Sequence, residues 1–135
     1  MPNPPKIGHH GGEAYYYPAK DYLNMPKLRF FRRAELYYSV LNHELVHSTG
    51  HSSRLNRPEL QEMSSFASHS YSQEELTAEI GASFLNCPAW ILNTPTFEDS
   101  AAYIQGWLQR LCNDNKFIFQ AAARAQKAVD YILNK

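Results

Sequence analysis

His43-Glu44-Leu45-Val46-His47 places two imidazoles four residues apart, with a glutamate beside the first. On a helix, residues at i and i+4 stack on one face, so both rings can converge on a single ion. Zinc accepts imidazole nitrogen at about 2.0–2.1 Å, and a catalytic zinc site keeps one coordination position for water. Glu44 stands next to that position and can take a proton from the water. The spacing therefore points to a metal centre, with His43 and His47 as ligands, Glu44 as general base and one zinc ion per chain.

Such a centre needs a third protein ligand. A histidine six residues after the second ligand would serve, but Ser53 stands there. His51 lies just past Gly50, where the helix should end. Glu75 and Glu79 are four apart in the next strongly helical stretch and face the same way. One of them can bind the ion, while the other accepts the outer N–H of a ligand histidine. The residues by themselves favour Glu75 and leave Glu79 and His51 open.

These groups need elements to hold them. Leu36, Val40, His43 and His47 share one face of a helix expected over about Arg32–Thr49, with Gly50 as its C-cap. Upstream, residues 1–13 are rich in Pro, Gly and His and read as an extended lead-in, with His9 and His10 disordered before a glycine pair. The tyrosine-rich runs Ala14–Tyr17 and Asp21–Met25 flank Pro18-Ala19-Lys20 and read as a β-hairpin stopped by Pro26. Pro58 can open a short helix. Ser72 and Glu75 resemble a capping box for a helix whose apolar stripe is Leu76, Ile80 and Phe84, with Gly81 and Ala82 allowing a close neighbour. Pro88 and Pro95 bound a turn-rich connection. A third long helix capped by Asp99 or Ser100 carries Ile104, Trp107, Leu108 and Leu111 inward. A fourth, capped by Asn113 or Asp114, presents Ile118, Ala121, Ala125, Ala128 and Ile132. Trp90 and Trp107 read as core. The expectation is one α+β, mainly helical domain over residues 14–135, with a small antiparallel sheet ahead of the histidine helix.

Length and composition agree with one domain. The chain has 135 residues, 44% of them hydrophobic and 19% charged, which excludes a disordered chain. No apolar run is long enough to span a membrane, and the start lacks a signal-peptide core, so a cytoplasmic setting is expected. Cys87 and Cys112 are too few for a disulfide scaffold and read as free thiols. Net charge is zero, which argues against a general polyanion binder. It is segregated, however: +4 over residues 1–33, −7 over 34–100 and +3 over 101–135.

The stretches AYYYPAKDYLNMP, ELYYSVLNHELVHSTGH, RLNR, YSQEELTAEIGASFL and YIQGWLQRL, with the alanine-rich AAARAQKAVDYIL, run from about residue 14 through most of the chain. Together they resemble the zincin-like metallopeptidase domain of ArdC-type antirestriction proteins, which also occurs in TraC-type plasmid primases and phage polyvalent proteins. The resemblance implies a peptidase acting on a peptide or protein substrate, with Glu75 as third ligand and Glu79 behind a histidine. In ArdC-type proteins this domain follows one that binds single-stranded DNA. These 135 residues hold no counterpart of it, so DNA contact is expected only through such a separate domain.

Two other functions compete. The domain can be a zinc-stabilised binding module that blocks a host DNA-processing enzyme without proteolysis. It can also bind single strands through Lys27, Arg29, Arg32 and Arg33, interleaved with Phe30 and Phe31. That cluster is short, and a solvated flank with two buried phenylalanines is the simpler expectation. Tyr71, His69 and Arg54 lie near the motifs in sequence and are candidate donors to a developing oxyanion.

Overall fold

The computed structural model describes residues 1–61, 69–87, 94–110 and 115–135. The tyrosine runs do form a hairpin. Strand β2 (Tyr15–Tyr17) pairs antiparallel with β3 (Tyr22–Asn24), with Tyr16 opposite Leu23. A single 3-10 turn at Pro18–Lys20 joins them, and Asp21 follows in the left-handed region at φ 45°.

The stretch read as a lead-in contains a third strand, β1 (Lys6–Gly8), parallel to β3 with Ile7 opposite Leu23. The sheet order is β1-β3-β2, so the sheet is mixed rather than purely antiparallel, and β2 lies at an edge. Lys-Ile-Gly has no alternation to betray a strand. A parallel partner is supplied by the tertiary fold, not by the local pattern. Leu23 and Met25 are fully buried beneath the sheet. Asn24 pins the loop after β1 through its side chain, accepting from His10 N and donating to the carbonyls of His10 and Glu13. His9 Nδ1–H donates to Met25 O at 3.1 Å. Both histidines expected to be disordered are thus held in place.

Among the described residues five α-helices follow: α1 (Ala34–Thr49), α2 (Pro58–Gln61), α3 (His69–Asn86), α4 (Thr94–Arg110) and α5 (Asn115–Leu133). Helix α3 is central and packs against all the others. Leu76 and Ile80 meet Trp107 of α4 and Ala121 and Ala125 of α5. Ala78 and Leu85 meet Val46 of α1 and Ala128 and Val129 of α5. The alanine stripe of α5 lets the helices approach closely.

Several local expectations give way to packing. Phe84 is 40% exposed, outside the stripe assigned to it. Helix α3 begins at His69 rather than at Ser72, so Ser72 is buried within the helix and Glu75 turns toward α1 instead of capping. Helix α4 begins at Thr94, ahead of Asp99 and Ser100. Gly50 ends α1 with right-handed angles, φ −75° and ψ −8°. It is needed for space: a Cβ there would lie 2.9 Å from an Arg57 guanidinium nitrogen and from a Leu60 methyl carbon. Pro88, Trp90, Leu111, Cys112, Asn113 and Asp114 lie outside the described residues, and Cys87 is an exposed free thiol. Among the described residues no helix is long and apolar enough to cross a membrane.

Gly81 sets the distance between α1 and α3. A Cβ on it would stand 2.9 and 3.0 Å from the two Val46 methyls, which belong to a stiff, β-branched side chain. Gly81→Ala should therefore lower stability by about 1–2 kcal/mol in urea unfolding, although alanine favours helix by about 1 kcal/mol. The loss should shrink in a Val46→Ala background.

Candidate metal centre

Helix α1 presents His43 and His47 to α3, which carries Glu74, Glu75 and Glu79. The two Nε2 atoms lie 3.0 Å apart. Glu75 sits opposite both, with Oε2 3.5 Å from His43 Nε2 and Oε1 3.5 Å from His47 Nε2. One donor atom from each of the three residues falls within 4.8 Å of the others. Tetrahedral ligands at about 2.0–2.1 Å from an ion lie roughly 3.3–3.4 Å apart, so the set is close to the spacing a divalent ion needs.

The outer nitrogens support this use. His43 Nδ1–H donates to Glu79 Oε2 at 3.1 Å, and His47 Nδ1–H donates to Glu74 Oε1 at 3.0 Å. Carboxylates only accept, so these bonds put the protons on Nδ1 and aim the Nε2 lone pairs inward. Of the three candidates for third ligand, Glu75 alone brings a carboxylate between the imidazoles. Glu79 stands behind His43, and His51 Nδ1 is engaged with Ser53 Oγ at 2.8 Å.

Charge tunes the pair. Burial is the largest influence on His43 and pulls its pKa down, but the carboxylates of Glu75 and Glu79 outweigh it and raise it to about 9. His47 is likewise opposed by burial and raised by Glu74 and Glu75 to about 10. Burial pushes Glu75 up, yet both histidines hold its carboxyl well below the usual range.

A cavity of about 340 Å³ opens over these groups. Glu44 lies in its wall beside His43, with Tyr71, Tyr103 and the edge-strand residues Tyr15 and Tyr16 around it. Tyr103 Oη–H donates to Glu75 Oε2 at 3.2 Å. Burial and the charge of Glu75 push the Tyr103 phenol up to about 12, so it keeps its proton. The other suggested donors are spent or elsewhere. Arg54 donates to Ser48 O at 2.7 Å, to Tyr16 and to Asp21, tying the hairpin to the end of α1. His69 packs edge-on against Phe117. In the basic cluster, Phe31 packs on Tyr37, while Phe30 is 62% exposed beneath the Arg29 guanidinium rather than buried.

Three residues of the candidate site escaped the sequence reading. Glu74 is fully buried between His47 and Arg57. Arg57 donates to both oxygens of Glu74, to Thr49 Oγ1 at 2.6 Å and to Val46 O at 2.8 Å, so it caps α1 and fixes the carboxylate behind His47. The available signal was that two histidines sharing an ion would need two outer acceptors, and Glu74 was the one acid of EELTAE without a role. Tyr103, far along the chain, carried no local signal.

The family model described as zincin-like metallopeptidase matches residues 4–124. The chain is 39% identical over 127 residues to the uncharacterized protein y4eC of Sinorhizobium fredii, covering 93% of this chain and 40% of that one. It is 37% identical over 123 residues to a DNA primase TraC of Escherichia coli, covering 91% of this chain and 8% of that one. The crystal structure of the antirestriction ArdC protein from the R388 plasmid, Mn(II)-bound, superposes with a TM-score of 0.77 at 42% identity, over 96% of this chain and 47% of that one. Its metal-free form gives 0.73 at 41% identity, over 96% and 45%. The chain spans less than half the length of each of these relatives. It belongs to the zincin-like metallopeptidase family.

Arg57→Met strands a buried Glu74 charge and should cost about 3–5 kcal/mol in urea unfolding, whereas Glu74→Gln should fold and bind metal about 10–100-fold more weakly. Both histidines have folded pKa values raised above 6.5, so their contribution to stability is complete below that pH and lost as pH rises through about 9 and 10. In chelator the melting temperature should fall over this window, and zinc should bind more tightly as the protons leave.

Proposed function

We propose that the chain is the catalytic domain of a zinc-dependent peptidase, with one ion held by His43, His47 and Glu75 and with Glu44 as general base. The observation that carries this reading is the convergence of two imidazole lone pairs and a carboxylate, each histidine backed by its own glutamate. Two histidines and a glutamate form a ligand set of catalytic zinc sites. The Mn(II) in the ArdC relative supports a divalent ion on this fold.

A bound ion would supply Lewis acidity and a water acidic enough to ionise near neutral pH. The remaining work belongs to the chain. The Glu44 carboxylate takes the proton of the attacking water and returns it to the leaving amine. Tyr71 and Tyr103 border the same cavity, and Tyr103 can donate to a carbonyl oxygen as it gains charge by turning its O–H away from Glu75 Oε2. Strand β2 lies at the sheet edge and along this cavity, which suits an extended peptide added as a further strand. The ArdC relative, an antirestriction protein of a plasmid, supports an antirestriction setting on a mobile element. A cytoplasmic protein substrate and DNA contact through a separate domain complete the reading.

Elemental analysis should find one zinc per chain, lost in Glu75→Ala and kept in Glu44→Gln. Cleavage of a peptide library should fall about 10²–10⁴-fold in Glu44→Gln. Full occupancy with no cleavage of any peptide would instead favour the non-proteolytic binding module.

A further inference from the structure

Beyond Tyr103 from the metal cavity lies a second cavity, of about 190 Å³. Leu36 and Val40 of α1, Glu79 of α3, and Asp99 and Tyr103 of α4 form its walls. It adjoins the centre directly. Tyr103 lines both cavities, and Glu79 is the residue that accepts from His43 Nδ1. Val40 and Leu36 precede His43 by three and seven residues, so the apolar wall continues the ligand face of α1. A peptide lying across His43 and His47 would reach this cavity with a side chain flanking the reacting bond.

The wall chemistry is specific. Leu36 and Val40 give it an aliphatic wall, Ser39 and Ser100 add hydroxyls, Glu79 and Asp99 add carboxylates, and among the described residues no lysine or arginine lines it. Among the described residues Asp99 is exposed and in no ion pair, and the ion pair of Glu79 is with His43. The exposed Asp99 carboxylate, with Glu79 near it, beside an aliphatic wall matches a side chain with a long apolar stem and a cationic end.

We propose that this cavity is the specificity pocket of the site and takes a lysine or arginine side chain of the substrate, its stem on Leu36 and Val40 and its charge between Glu79 and Asp99. The assignment rests on the peptidase reading and adds the substrate class.

Dipeptide hydroxamates test it without requiring turnover, because the hydroxamate chelates the metal directly. Three probes carry lysine, norleucine or glutamate next to the chelating group, and their binding to zinc-loaded protein is measured by calorimetry. The lysine probe should bind about ten-fold tighter than norleucine, the size of one charge-assisted hydrogen bond, with glutamate weakest. Asp99→Asn, a surface change, should erase most of that advantage, and Asp99→Lys should reverse the order in favour of glutamate. Equal binding of all three, or an order that survives both substitutions, overturns the pocket and leaves the metal centre standing. A lysine preference without cleavage of any peptide overturns the peptidase reading alone. Hydroxamates that bind no form of the protein overturn both.

Discussion

Everything in this fold answers to the requirement that two lone pairs and a carboxylate be held 3.0–3.5 Å apart inside protein. Such groups repel one another unless a cation or protons lie between them, so the protein must hold them by force of packing. It does so from behind. Glu79 and Glu74 grip the outer nitrogens, and Arg57 grips Glu74. At 100° per residue, positions 74, 75 and 79 span about 140° of helix α3, enough for one helix to face the inner side of the pair and both outer edges. This works only if α1 and α3 lie close together, and Gly81 against Val46 is where that closeness is made.

The rest of the chain reads as support for that contact. Helices α4 and α5 cover the far sides of α3 with Trp107 and an alanine stripe, which leaves α3 little freedom to rotate. Arg57 also binds carbonyls at the end of α1, so one buried guanidinium joins the helix terminus to the carboxylate behind His47. Gly50 admits that guanidinium, which explains a glycine at a position whose backbone angles do not demand one. Arg54 plays the matching part on the other side, bringing Asp21 and Tyr16 of the hairpin to the end of α1. The edge strand is thereby placed along the cavity that holds Glu44.

The chemistry of the site is divided by position. Charge is concentrated where acids meet histidines, and tyrosines from both ends of the chain form the cavity walls. Tyr103 separates the metal cavity from its acidic neighbour and bonds to Glu75, so its position affects both.

His43, Glu44 and His47 were legible because their relation is local: four residues make one helical turn, whatever surrounds it. The hairpin, the opening of α2 at Pro58 and the inner stripe of α5 were legible for the same reason. Strand β1 was not, since a three-residue parallel strand exists only when β3 is already beside it. The starts of α3 and α4 and the exposure of Phe84 and Phe30 also followed packing rather than local signals. The residues alone narrowed the third ligand to Glu75, Glu79 or His51. Which carboxylate meets which nitrogen depends on the rotation and separation of two helices whose facing residues lie about 30 apart in the chain. Glu75 between the rings, Glu74 with Arg57 behind His47, and Tyr103 over the site were therefore decided by the tertiary structure. No rule of spacing within one helix carries that information.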